Sequence, residues 1–298
     1  MHVISTPISF SLSKMMNIYT WGNGKEISPF DIESIILSQL INDIDDIQII
    51  PNSNYFISNS QKLPCLITND EQITGLINIW NYLSPDDNND STERLLFDSL
   101  LHSIIKNFNI ITTYNYFVNT TNYESFTRPA FKNYLPWPFQ YLPPLQIREN
   151  GIEDCMNLGI IDGENDGNST LDDEEKHLVE TPVINDLQKN QIDNNLQLIN
   201  KKKSIIANLN CIKLLKSTID NFNQLKEKLS TSNSEFLSLI INSYLQNNII
   251  DELSDNFIKI TLERDYPEYL NTKSLPKSYN PSHLTFSNAF KSFISSFI

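Results

Sequence analysis

Apolar and polar positions along the first eighty residues fall into alternating short runs and helical stripes. Asn17 to Trp21, NIYTW, is rich in β-formers and stops at the turn signal Gly22-Asn23-Gly24. Ser28-Pro29-Phe30-Asp31 then predicts a helix start, with Ser28 as the cap and proline in the first turn. The stripe Ile32, Ile35, Ile36, Leu40 and Ile44 has helical spacing. Asp46 to Pro51 holds the continuous apolar run IQII, which suits a buried parallel strand. From Lys62 to Leu83 an apolar run led by Leu63-Pro64 meets a polar break at Thr68 to Gln72, and a second short run starts at Ile73. Leu76, Ile77, Ile79, Trp80 and Leu83 return to the helical period. The predicted order is strand, helix, strand, strand, strand, helix.

Beyond the polar break Ser84 to Asp90 the pattern turns helical throughout, which places a domain boundary there. Leu95, Leu96, Leu100, Leu101, Ile104, Ile105 and Phe108 predict a long core helix running to about Tyr116. A short helix is expected within Asn122 to Tyr134, interrupted at Pro129. The segment Leu135 to Pro144 carries four prolines among three aromatic residues and predicts an ordered loop, with a helix from about Leu145 to Gly159. A mixed stretch reaches Asn200, helix follows from Ile205 to Leu229, and Ser232 and Glu235 have capping-box spacing for the next. Ile249 to Leu262 predicts one more, ended by Tyr266-Pro267-Glu268-Tyr269-Leu270. The polar, Pro-interrupted tail closes on a Phe-rich, weakly amphipathic stretch, Phe286 to Ile298. The expected division is an N-terminal extension at 1–16, disordered and dispensable over 1–14, a first domain at 17–83 and a helical domain at 91–298.

Composition narrows the function classes. The chain has 298 residues and 40% apolar content, enough for a large core. Asparagine makes up roughly one residue in eight, which a biased source genome explains. The net charge of −14 argues against nucleic acid as a partner. Twelve acidic and two basic residues lie between Asn150 and Asn195, so the acidity belongs to one loop, at about 160–182. Within it Asp162, Glu164, Asp166, Gly167 and Asp173 partly match a calcium loop; Ser169 and the final aspartate depart from it, and a solvated acidic loop is the preferred reading. Cys65, Cys155 and Cys211 form no CxxC, and a reducing compartment is expected. His2, His102, His177 and His283 show no metal spacing, and no phosphate-binding glycine loop exists. No run of 18 or more apolar residues predicts a membrane-spanning helix.

The order of the first elements, with Leu63-Pro64 leading the third strand, resembles a thioredoxin-like domain, where that proline is cis and its loop faces the ligand site. A thioredoxin-like domain followed by helices is similar to the glutathione transferase architecture, an α/β plus all-α fold. That resemblance implies an acidic residue and a serine at the start of the helix after the proline strand, which hold the glutathione backbone. Thr74-Gly75 stand there instead. It also implies a Tyr, Ser or Cys after the first strand, where this chain offers Gly22, Asn23, Gly24 and Lys25, with Ser28 the nearest hydroxyl. No catalytic, cofactor or metal residue is therefore expected.

IYTWGNGKEISPFDIESI, KLPCLITNDEQITGLINIWNYL and LPWPFQYLPPLQIREN resemble, in this order and spacing, signatures of the metaxins, most of all the fungal metaxin-like subunits of the mitochondrial sorting and assembly machinery. The resemblance covers about residues 17–150. It implies a non-catalytic subunit on the cytosolic face of the outer membrane that scaffolds insertion, folding and release of β-barrel precursors. The implied partners are the membrane-embedded barrel subunit, a second metaxin-like subunit, the precursors, and the outer-membrane translocase. Leu63, Pro64 and Gly75 are then structural residues, and Trp137, Phe139 and Tyr141 are candidate partner anchors. Filling the seam between domains is the alternative role for those aromatics. Some members carry a C-terminal membrane segment; none is seen here, so attachment is expected to depend on partners. The competing readings are a glutathione transferase-like enzyme and a soluble assembly module of a translation or synthetase complex.

Overall fold

The structure is a computed structural model that describes residues 16–41, 44, 47–54, 57–58, 63–68, 71–83, 91–135, 137, 140–162 and 186–270, with the side chains of 91 and 186–197 left out. The extension at 1–14, the break at 84–90, most of the acidic loop, the calcium-loop candidate beyond Asp162, Phe139 and the tail after Leu270 lie outside the described residues.

Among the described residues the chain is mixed α/β, mostly helical, with a small four-stranded sheet. Strands β1 (Met16–Trp21), β2 (Ile47–Asn52), β3 (Cys65–Ile67) and β4 (Gln72–Thr74) lie in the order β2-β1-β3-β4. β1 runs parallel to β2, pairing Ile18 with Ile49, and antiparallel to β3, pairing Ile18 with Leu66. Helices α1 (Ile32–Leu40) and α2 (Leu76–Leu83) complete a unit consistent with the thioredoxin-like pattern, and the Leu63-Pro64 peptide is cis. β2 is an edge strand rather than a buried central one, so its apolar run is only half-buried.

The helical part begins with α3 (Ser91–Thr113), which passes into a π-helical turn at Tyr114–Val118. Single turns α4 (Thr120–Asn122) and α5 (Arg128–Ala130) follow, separated by a second π-turn at Tyr123–Thr127. Pro129 therefore does not break a helix; it sits where the hydrogen-bond pattern changes, in a first turn that has no use for its missing N–H. α6 (Leu142–Asn157) starts three residues earlier than expected, because Pro143 and Pro144 fit its first turn for the same reason. Gly159, at a φ of 68°, then ends it.

The mixed stretch to Asn200 is helix after all. α7 (Asp186–Leu225) runs 40 residues unbroken and is followed by a 3-10 turn at Lys226–Lys228. α8 (Thr231–Asn248) is not started by the Ser232–Glu235 box. Its first orphan donors go to Glu93 of α3 instead, which accepts from the Ser230 N–H at 2.6 Å and the Asn233 side chain at 2.9 Å. α9 (Phe257–Asp265) begins later than Ile249, since Ile249 to Asn256 forms a connection. Leu95, included in the α3 stripe, is 73% exposed; Leu100, Leu101, Ile104 and Phe108 carry the buried face.

One hydrophobic cluster runs from Ile18, Ile36 and Leu66 of the sheet unit through Phe108 and Leu215 to Leu262. Ser243 donates to Gln39 across the seam, and Trp80 of α2 stacks on Phe236 of α8 with ring centres 4.9 Å apart. A second, aromatic cluster gathers Tyr116, Phe117, Tyr123 and Phe131 around Phe30 and Trp21 of the N-terminal unit.

Candidate functional site

The loop before β3, the N-termini of α1 and α2 and the end of α3 enclose a cleft of about 410 Å³. Its walls include Trp21, Phe30, Asp31, Glu33, Leu63 and Gly75 on one side and Thr112, Thr113 and Phe117 on the other. The volume is that of a small-molecule site. Among the described residues, the charged side chains on its walls are the two carboxylates.

Each wall residue is fixed by local chemistry. The turn after β1 closes through Asn23, whose Oδ1 accepts from the N–H groups of Lys25 and Glu26. Gly22 bridges to Ile27 across this turn, and a Cβ on it would lie 2.1 Å from the Glu26 carbonyl, which leaves room for glycine alone. The hydroxyl expected to cap α1, that of Ser28, is buried and accepts from the Phe30 N–H in a tight turn. The cap is Asp31, whose carboxylate accepts from the Ser34 N–H and hydroxyl and from the Trp21 N–H.

Burial raises the Asp31 carboxyl to about 6, against the Ser34 hydrogen bonds that pull it down, with Glu33 adding repulsion. An unfolded aspartate titrates near 3.9, so between these values the folded chain keeps a proton the unfolded chain has lost. The resulting stabilisation is complete below about pH 4 and is lost as pH rises through 6. Asparagine would keep the cap without the charge. Asp31→Asn is expected to gain about 3 kcal/mol over the wild type between pH 4 and 7, measured by urea unfolding. Parallel pH profiles for the two proteins would contradict the assignment.

The N-terminus of α2 is the corner where the ligand-holding groups would stand. Gly75 adopts a φ of 87°, which a serine would adopt only with strain. Its N–H donates to the Pro64 carbonyl at 2.9 Å. The next N–H, that of Leu76, donates to Glu33 Oε2 at 3.3 Å. Glu33 thus places the protein's own carboxylate where a helix N-terminus would otherwise take an anion.

The three cysteines are free and buried. Cys65 is buried and its thiol is pushed up by desolvation. Burial and Asp154 push Cys155 up to about 12, and burial followed by Cys155 holds Cys211 well above the ordinary range. Neither is a thiolate at neutral pH. Among the described residues no group of His, Cys, Asp and Glu has metal-binding geometry, and no helix is long and apolar enough to cross a membrane.

Of the residues singled out from the sequence, Leu63, Pro64 and Gly75 come together at the cleft. Trp137 and Tyr141 lie at the surface, 72% and 45% exposed, alongside exposed Leu142 and Leu145. Sequence reasoning missed Asp31 and Glu33. The signal available was an Asp directly before the helical stripe with a Glu two residues on, a stronger helix start than Ser28.

Residues 32–148 match the Tom37 family, described as an outer mitochondrial membrane transport complex protein. The matched span contains α1, the cleft corner and α3, and ends in α6 at Arg148. The match bears out the resemblance read from the sequence over this span. A comparison with curated proteins finds no match.

Proposed function

We propose that this chain is a non-catalytic, peripheral subunit of the sorting and assembly machinery of the mitochondrial outer membrane. The family match itself implies a role in the outer membrane transport complex. The finer reading is a glutathione transferase-like body on the cytosolic face that scaffolds insertion, folding and release of β-barrel precursors. Its partners are the barrel subunit of the machinery, a second metaxin-like subunit, the precursors and the outer-membrane translocase.

The observation that carries the non-catalytic part is the corner at Gly75. Its two amides are spent on Pro64 and Glu33, and the cleft faces solvent with two carboxylates. An anionic thiol peptide meets repulsion from these carboxylates. What remains is a rigid body with apolar anchors. Trp137 and Tyr141 suit that role, because partly exposed aromatics supply large contact area at low entropic cost.

Two measurements test the reading. The purified chain should pass through immobilised glutathione unretained and show no thiol conjugation; retention, or an activity abolished by replacing one hydroxyl residue, would establish the enzyme. In fractionated cells the chain should follow mitochondrial membranes and be released by alkali. A cytosolic, ribosome-linked pool would instead indicate a translation-complex module.

A further inference from the structure

α7 has two faces of opposite kind. One carries Ala207, Cys211, Leu215, Ile219 and Phe222, at steps of three and four residues, and is buried against the body. On the other, Leu198, Ile199, Ile205, Ile206 and Leu209 are each at least half exposed. At 100° per residue these five span about a third of the helix circumference, opposite the buried stripe. Lys202 and Lys213 fall within the same sector and Lys201 lies about 40° outside it, all three exposed. Five lysines and no acidic residue lie between Asp193 and Asp220, in a chain of net charge −14. A stretch of net positive charge therefore coincides with uncovered aliphatic side chains.

We propose that this outer face of α7 lies on an anionic phospholipid surface, with the five aliphatic side chains entering the headgroup boundary and Lys201, Lys202 and Lys213 pairing with lipid phosphates. The face extends about 20 Å along the helix, enough for an in-plane contact. Lysine stems reach past the apolar side chains and keep their ammonium groups at the phosphate level. Leucine and isoleucine interspersed with lysine over residues 198–213, with the next acidic residue on that side at Asp220, is the composition of an interfacial helix. The choice of lipid over an acidic polypeptide rests on the family match to an outer-membrane complex. Because no described helix can span a membrane, a lipid-facing helix gives the chain a contact with the bilayer beyond those made through protein partners.

The test uses the purified full chain and flotation with phosphatidylcholine vesicles, with or without phosphatidylserine. The wild type should float with the anionic vesicles only and detach as salt rises, since each lysine at such a surface contributes about fivefold in affinity. Lys201→Glu combined with Lys202→Glu and Lys213→Glu should weaken binding at least a hundredfold by the same measure, or about fivefold three times over. Ile205→Ser with Leu209→Ser should weaken it independently of salt. Both variants alter exposed positions, so their melting temperatures should match the wild type. Equal binding to neutral vesicles, no binding at all, or unchanged binding by either variant would overturn the proposal. Loss of a stoichiometric protein partner by these variants, without vesicle binding by the wild type, would assign the face to a polypeptide instead. The vesicle assay contains no partner, so its failure leaves complex membership to be judged separately.

Discussion

Replacing Asn122 with leucine is expected to destabilise the protein by about 4 kcal/mol, although the two side chains are nearly equal in size. Asn122 is fully buried. Its amide donates to Asn115 Oδ1 at 2.9 Å and to the Asp255 carbonyl at 3.1 Å, and its oxygen accepts from the Asp255 N–H at 2.7 Å. Asn115 donates in turn to Asn248, and Asn248 to Thr112 and the Tyr244 carbonyl. Leucine leaves the buried Asn115 Oδ1 and the part-buried N–H and carbonyl of Asp255 without this partner, each costing about 1–3 kcal/mol. The network makes the loss larger than one bond suggests, because its members hold one another in place. Thermal melting should fall by about 10 °C. Asn221→Leu, at an exposed position on α7, should stay within about 0.5 kcal/mol of the wild type. Similar losses for the two variants would mean the network is not what joins the end of α3 to the α8–α9 connection.

Phe30→Ala is expected to cost about 3 kcal/mol. Phe30 precedes α1 and is inserted among rings of the helical part. It stacks on Phe131 at 4.8 Å and meets Tyr116 edge-on at 5.6 Å, with Phe117, Phe126, Tyr134 and Trp21 also in contact range. Nearby, Asn247 of α8 donates to the Pro29 carbonyl at 2.7 Å and its own carbonyl accepts from the Tyr116 hydroxyl. Truncation removes the ring that joins the two parts, so amide exchange should quicken in β1 and α1 more than in α7. Phe30→Leu keeps most of the volume and should cost about 1 kcal/mol. Uniform exchange across the chain in the alanine variant would show that the peg does not hold the N-terminal unit in place.

Both residues were poorly legible in the sequence, and for physical reasons. The asparagines look like a compositional bias in a chain where this residue is roughly one in eight. Asn115, Asn119 and Asn122 stand four and three residues apart, the spacing of one helix face, and all are buried, but a stripe sought among apolar residues passes over them. Phe30 reads as a helix-start residue because its partners come from a segment a hundred residues away. By contrast, the strand and helix order of residues 17–83 was legible, since Ile18, Ile36, Leu66 and Ile79 are apolar where the periods of two and 3.6 demand it. The Leu63-Pro64 and Gly75 corner was legible from its motif. That Glu33 would cap α2 was not, because 43 residues separate donor and acceptor.

The account of function is carried by a cleft that keeps its walls and fills its own anion corner. The N–H groups of Gly75 and Leu76 donate to the Pro64 carbonyl and to Glu33. On the proposed function the body itself is the product, a shaped surface for other proteins. On these proposals the exposed Trp137 and Tyr141 and the outer face of α7 are two different contacts, one with protein and one with lipid.

The most direct measurement is purification of the tagged chain from mitochondria in mild detergent, followed by identification of what accompanies it in equal amounts. The account predicts an outer-membrane β-barrel protein and a second subunit of the same family, both lost or weakened when Trp137 and Tyr141 are changed to alanine. Recovery of the chain alone, or with cytosolic translation proteins and no barrel, would contradict it.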